Sequence, residues 1–257
     1  MSDTKDLSDK ELDAMVEESI KQPLVTIGIP VFNDERFIYG AIKSALSQTY
    51  KNIEVIILDD ASTDETPNIC KIFKNKARYI RNEKNMGIGF GRWKICQEAK
   101  GDYIAFVSAD DLLSTTFVEE MLKHTETGKI LYSGYLIMDA MGNATKQYEP
   151  ISFDAHDDFC VCCFEQALRQ TMFVNFSCVL IPRAVFDKVN FRPEIRYGED
   201  LDFLLRSMKH IRYKYVPLPL VKYRVHVGQT TTREWDVIED NNKKIVDDWL
   251  KFWRSGE

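Results

Sequence analysis

Residues 103–111 read "YIAFVSADD". An apolar run passes through a serine and an alanine into two adjacent carboxylates, Asp110 and Asp111. This is the pattern of a buried strand that delivers acids to a surface at its end. The same figure recurs upstream. "LVTIGIPV" (Leu24 to Val31) is an apolar strand followed by Asn33 and Asp34, and "IEVIILDD" (Ile53 to Asp60) ends on Asp59 and Asp60. Between them, "RFIYGAIKSALSQ" sets Phe37, Ile38, Ala41, Ile42, Ala45 and Leu46 on one helical face. "STDETP" predicts a capping box from Ser62 to Glu65, with Pro67 in the first turn of a second helix. "RYIRN" reads as a third strand, "NMGIGFGRWKICQEAKGD" as a glycine-punctuated turn into a helix, and Thr116 to Glu119 as the cap of the next helix. Strands alternating with helices predict an α/β fold, a mostly parallel central sheet flanked by helices. Ligands of such open sheets bind at the carboxyl ends of the strands, so the three polar clusters are expected on one rim.

The second half is less regular. "ILYSGYLIMDAMGNATK" predicts a hairpin turning at "MGN", "SCVLIPRAVFDKV" a strand running into a helix, and "YGEDLDFLLRSMKH" a helix with three acids in its first residues. Carboxylates there also suit the helix dipole, so plain capping competes with any chemistry for Glu199, Asp200 and Asp202. Leu12, Met15, Val16 and Ile20 mark an amphipathic helix ending before Pro23. With no repeat, low-complexity segment or linker, one domain is expected. Its parts are residues 24–115, residues 116–230 and a helical segment over 231–257.

A chain of 257 residues that is 44% hydrophobic can bury a real core, and a formal charge of −6 lacks the basic footprint of a nucleic-acid binder. No stretch nears the ~18 apolar residues of a membrane span, and "MSDTKDLSDKELDAMVEES" is acidic where a signal peptide is basic, which predicts a cytoplasmic chain. Cys70, Cys96, Cys160, Cys162, Cys163 and Cys178 read as reduced thiols, and "CVCC" at 160–163 lacks the paired C-x-x-C spacing of a zinc site.

Adjacent carboxylates are hard oxygen ligands suited to Mg²⁺ or Mn²⁺ that also holds water and phosphate oxygens. No G-x-x-x-x-G-K-[ST] loop occurs, and Gly87, Gly89 and Gly91 lack the spacing and place of a dinucleotide fingerprint. In this setting six ordered motifs, "IPVFND", "QTYKNIEVIILDDASTDET", "NMGIGFGRW", "GDYIAFVSADD", "YGEDLDFLLR" and "YRVH", carry a resemblance. Over residues 24–230 the chain resembles the inverting family-two glycosyltransferases with the GT-A fold. Those enzymes move a sugar from a nucleotide diphosphate sugar, most often a uridine one, to a hydroxyl acceptor.

The resemblance implies that Pro30, Phe32, Asn33 and Asp34 line the nucleotide pocket, and that Asp60 recognises the base, with Asp59 the weaker candidate. It implies that Arg92 contacts base or diphosphate, that Asp111 binds Mn²⁺ or Mg²⁺ directly with His226 completing the shell, and that Asp110 touches ribose or metal. Many relatives carry an acid where this chain has Ser108. Asp200 matches the general base, and Glu199 orients acceptor or donor sugar. Asp202 lies about 200° around the helix from Asp200 and reads as structural or solvated.

Two alternatives belong to other classes. A non-catalytic nucleotide-sugar or glycan binder retains the fold without turnover, whereas a sugar nucleotidyltransferase would want a glycine-rich first loop that "IPVFNDERF" does not offer. The expected setting is polysaccharide or glycolipid assembly. In "KKIVDDWLKFWRSG", Ile245, Val246, Trp249, Leu250 and Trp253 share a face with Phe252 nearby. Cations beside tryptophans suit a peripheral membrane helix at the inner face of the cell membrane, serving a lipid-linked acceptor. Asp247 and Asp248 oppose anionic lipid and favour docking on the domain or on a second subunit of a homodimer.

Overall fold

The computed structural model describes residues 22–125, 128–149, 175–208 and 210–255, the last four by backbone alone. The first strands are β1 (Val25–Val31), β2 (Ile53–Asp59), β3 (Arg78–Arg81) and β4 (Tyr103–Phe106). They pair in parallel in the order β3-β2-β1-β4. Their crossovers are α1 (Ile38–Leu46), α2 (Thr66–Ile72) and α3 (Ile88–Glu98). Period-2 alternation puts Val25, Ile27, Ile29 and Val31 of β1 in one core and leaves Thr26, Gly28 and Pro30 on the other face, and it splits β2, with Val55 and Ile57 in one core and Ile56 and Leu58 in the other. A Cβ on Gly28 would stand 2.5 Å from Ile95 Cγ2, so only glycine lets α3 lie this close to β1.

Beyond β4 follow β5 (Leu112–Leu113), α4 (Phe117–Leu122), β6 (Ile130–Met138), β7 (Ala144–Tyr148) and β8 (Val179–Pro182). Then come α5 (Glu199–Met208), β9 (Tyr213–Arg224), α6 (Thr230–Arg233) and α7 (Trp235–Ser255). These strands extend the sheet as β4-β8-β6-β9-β5, with β8 antiparallel to β4 and β6, and β7 paired to β6. The hairpin expected at "MGN" forms between β6 and β7, whereas "RAVFD" after β8 is a 3₁₀ turn rather than an α-helix.

Both expected helix caps are absent. Helix α2 starts at Thr66, and Ser62 Oγ instead accepts the Asn33 N–H at 2.9 Å. Asp64 supplies the local acceptor, taking the Thr66 N–H at 3.0 Å. Thr116 makes no side-chain cap on α4, and Glu119 accepts from Thr49 Oγ1 at 2.5 Å.

Helix α7 is docked on the domain. Trp249 is buried, its Nε1 donates to the Leu205 carbonyl at 3.0 Å, and Ile245, Val246 and Leu250 pack on the same core. Burying one large apolar side chain is worth about 1.5–3 kcal/mol. Of the face read as a candidate membrane surface, Ile245, Val246, Trp249 and Leu250 are therefore turned to the domain. No helix among the described residues is long and apolar enough to cross a membrane. The expected N-terminal helix and the "CVCC" cluster lie outside the described residues.

Candidate active site

The carboxyl ends of β1, β2 and β4 open into a cleft of about 1200 Å³, closed on the far side by the segment from Tyr223 into α7. Pro30, Phe32, Asn33 and Asp34 line it, with Phe32 46% exposed. Asn33 sits at φ 50, in the left-handed region where a short polar side chain is tolerated, and its Oδ1 accepts the Thr63 N–H at 2.7 Å. Burial, then the charge of Asp110, pushes the Asp34 carboxyl up to about 7.

The adjacent acid pairs divide, Asp59 and Asp60 where β2 ends and Asp110 and Asp111 in the turn that follows β4. Asp60 and Asp110 line the cleft, but Asp59 and Asp111 do not. Asp59 is fully buried, bonded to Tyr79 Oη at 2.6 Å, to the Ser62 N–H at 2.8 Å and to Arg81. Asp60 accepts from Asn82 Nδ2 (2.7 Å), from the Met86 N–H with both oxygens, and from the Gly87 N–H (2.7 Å), which holds the turn into α3 against the cleft.

Asp111, expected as the direct metal ligand, is 0% exposed and turned inward. Its Oδ2 accepts from Ser177 Oγ at 2.7 Å and its Oδ1 from the Arg224 N–H at 3.0 Å. Burial, reinforced by Asp110, raises its carboxyl well above the usual range. Both oxygens are committed to tying the turn before β5 to the end of β9 and to the Ser177 turn. Asp110 is the acid that faces the cleft, with Oδ2 3.1 Å from His226 Nε2.

Arg92 also departs from expectation. It is 4% exposed, its Nη1 donates to Glu199 Oε1 at 2.5 Å, and its guanidinium lies 4.5 Å from the centre of the Phe176 ring. It therefore braces α3 against α5 rather than presenting a free cation to diphosphate. Burial pushes Glu199 up to about 7 against the opposing charge of Arg92. Asp200, next in the chain, keeps a side chain 36% exposed, with Oδ2 3.9 Å from Arg92 Nη1 and Oδ1 accepting the Leu201 N–H at 2.8 Å. Asp202 is buried in ion pairs with Arg206 and Arg192, the structural role expected of it.

Two residues that shape the site carried no separate signal in the sequence. Arg224 of "YRVH" donates from Nε to the Asp110 carbonyl at 2.8 Å and lies 4.5 Å from the centre of the Phe37 ring. Ser177 bridges Asp111 and Ser108, its Oγ 3.2 Å from Ser108 Oγ. Hydroxyls thus occupy the place where an acid at position 108 would stand.

The donor set fits a divalent cation. Carboxylates outnumber cationic side chains in the cleft, ten to five, a balance that suits a bound cation. Among the described residues no three His, Cys, Asp or Glu side chains form a closed cage. An open pair such as Asp110 and His226 leaves coordination places for phosphate oxygens and water, as Mg²⁺ and Mn²⁺ require.

Residues 26–189 match the model of glycosyl transferase family 2. An Escherichia coli protein described as UDP-Glc:alpha-D-GlcNAc-diphosphoundecaprenol beta-1,3-glucosyltransferase WfaP is 33% identical, covering 85% of this chain and 84% of its own. An uncharacterized glycosyltransferase of Rickettsia prowazekii is 29% identical over 88% of this chain and 71% of its own. Among solved structures, S. aureus TarS 1-349 in complex with UDP-GlcNAc superposes with TM-score 0.64 at 17% identity, covering 81% of this chain and 60% of that one. The mannosyltransferase PcManGT from Pyrobaculum calidifontis, in complex with GDP-Man and Mn²⁺, gives 0.61 at 15% identity, over 86% of this chain and 61% of that one. The chain thus spans about three fifths of these two structures, and at such identities they speak for the fold, which is GT-A. By its matched residues and its fold, the chain belongs to glycosyl transferase family 2.

Proposed function

We propose that the chain transfers a sugar from a nucleotide diphosphate sugar to an acceptor hydroxyl, with inversion at the anomeric carbon. The observation that carries this reading is a pair of unlike carboxylates on one cleft. Asp110 stands beside His226, and Asp200 stands partly exposed at the start of α5. In-line displacement needs a base facing the acceptor on the side away from the leaving diphosphate. Asp200 takes the hydroxyl proton as the acceptor oxygen bonds to the anomeric carbon. The bond to the diphosphate breaks, and its electron pair leaves with the nucleotide.

Asp110 and His226 would hold Mn²⁺ or Mg²⁺, which when bound offsets charge on the diphosphate. Asp110 replaces Asp111 in that role because its carboxylate reaches the cleft. Pro30, Phe32, Asn33 and Asp34 form the nucleotide wall. Asp60 lines the cleft, and the imide N–H of uracil would take the place of one half of the Met86 N–H bond that its two oxygens share. A uridine donor is supported further by the UDP-Glc in the name of the E. coli relative and by the UDP-GlcNAc held in the TarS complex. The acceptor named for the E. coli relative, a sugar diphosphate on a polyprenol, supports work on a glycolipid at the inner face of the cell membrane.

The test has two arms. Thermal shift with UDP, CDP and GDP, with and without Mn²⁺, is expected to show Mn²⁺-dependent stabilisation that is largest for UDP, about 2.7 kcal/mol at a hundredfold excess over Kd. Incubation of UDP-glucose or UDP-GlcNAc with a short-chain GlcNAc-diphospholipid is expected to release UDP in step with a new glycosidic product. No stabilisation by any nucleotide, or UDP release without product, contradicts the proposal.

A further inference from the structure

The matched family residues end at 189, yet α7, far beyond them, forms one wall of the cleft. It meets the start of α5 at a single close contact. Gly198 adopts φ +78, and a Cβ there would stand 2.4 Å from Asn242 Oδ1 and 3.0 Å from Ile245 Cδ1. The carboxamide of Asn242 therefore lies against the residue two before Asp200. Its setting is costly. Oδ1 is buried without a hydrogen-bond partner, the Asn242 side chain makes no other hydrogen bond among the described residues, and the residue lines the cleft. A stranded buried acceptor opposes folding, and an apolar side chain beside Ile245 and Val246 would avoid that cost. An amide's oxygen and nitrogen occupy nearly the same space, so a half-turn presents either one to the cleft.

We propose that Asn242 is a specificity-determining contact to the acceptor sugar. Its partner is a ring hydroxyl near the one that Asp200 deprotonates. A hydroxyl both donates and accepts, so it satisfies whichever edge of the carboxamide it meets. The donor sugar lies on the other side, towards Asp110 and His226, and does not need α7. Trp249, hydrogen-bonded to the Leu205 carbonyl, fixes α7 on α5 and so keeps Asn242 in register with Asp200. This inference rests on the proposed transferase reading and adds the recognition of the acceptor to it.

The experiment compares wild type, Asn242→Ala and Asn242→Asp in transfer from UDP-glucose or UDP-GlcNAc to the GlcNAc-diphospholipid and to monodeoxy versions of it. In Asn242→Ala the acceptor KM is expected to rise about tenfold, while UDP affinity stays at its wild-type value and Tm does not fall. One monodeoxy probe is expected to cost wild type a similar factor and Asn242→Ala nothing more, because the contact is already gone. If every monodeoxy probe costs the variant as much as wild type, or if UDP affinity falls together with Tm, Asn242 is a packing residue and the inference is overturned. Failure of wild type to bind UDP sinks the transferase reading itself, and this inference with it.

Discussion

Replacing Asp111 and Asp110 separately by alanine separates a strut from a ligand. Asp111 is 0% exposed and accepts two hydrogen bonds, from Ser177 Oγ and the Arg224 N–H. Truncation strands both donors in the interior at about 1–3 kcal/mol each, so a total near 4 kcal/mol is expected. For a chain of this size that corresponds to a fall in Tm of about 10 °C. Asp110 has a side chain 15% exposed and one side-chain partner, His226, so Asp110→Ala is expected to change stability by less than about 1 kcal/mol. The functional effects run the other way. Titration with UDP at 10 °C, with and without Mn²⁺, is expected to show the metal-dependent part of binding lost in Asp110→Ala and retained in the folded fraction of Asp111→Ala. Asp111→Asn keeps the volume and one acceptor, so it folds better and gives a second reading of the same point. An Asp111→Ala protein with wild-type Tm but no response to Mn²⁺, beside an Asp110→Ala protein that still responds, would refute the assignment.

Gly198→Ala forces a Cβ into the left-handed region, at about 1–2 kcal/mol, and against Asn242. A Tm lowered by about 5 °C and a red shift in tryptophan emission as α7 moves are expected; unchanged values of both would contradict the α5–α7 contact. Glu199→Gln tests the buried pair with Arg92. The folded carboxyl is raised from 4.5 to about 7, so the stability held by its neutral form is complete below about 4.5 and lost as pH rises through about 7. The Tm of wild type relative to the variant should therefore decline between pH 5 and pH 8, and a flat difference would count against the raised value.

The α/β alternation was legible because β1 and β2 are short, mostly apolar runs, β2 on both faces, and α1 has a clear apolar stripe, signals that need no tertiary context. The convergence of Asn33, Asp34, Asp60 and Asp110 on one cleft followed from topology alone. The direction of each acid did not. Asp59 beside Asp60 and Asp111 beside Asp110 look alike in sequence, and only pairing with Tyr79 and Arg81, or with Ser177 and Arg224, shows which faces inward. Arg92 was read as a contact to base or diphosphate, and its partner Glu199 was not legible because it lies more than a hundred residues away in sequence, with |i−j| of 107. The caps failed for a related reason. Ser62 met a stronger demand from the Asn33 N–H than from its own helix.

The central claim is that Asp200 removes the acceptor proton in a cleft that binds the donor elsewhere. It is tested most directly by the transfer rate of Asp200→Asn measured at saturating donor, alongside the donor Kd. Asparagine keeps the shape but cannot take the proton, so transfer should fall by about 10² to 10⁴ with donor affinity unchanged. A near wild-type rate, or a donor affinity that falls in parallel with the rate, would contradict the account.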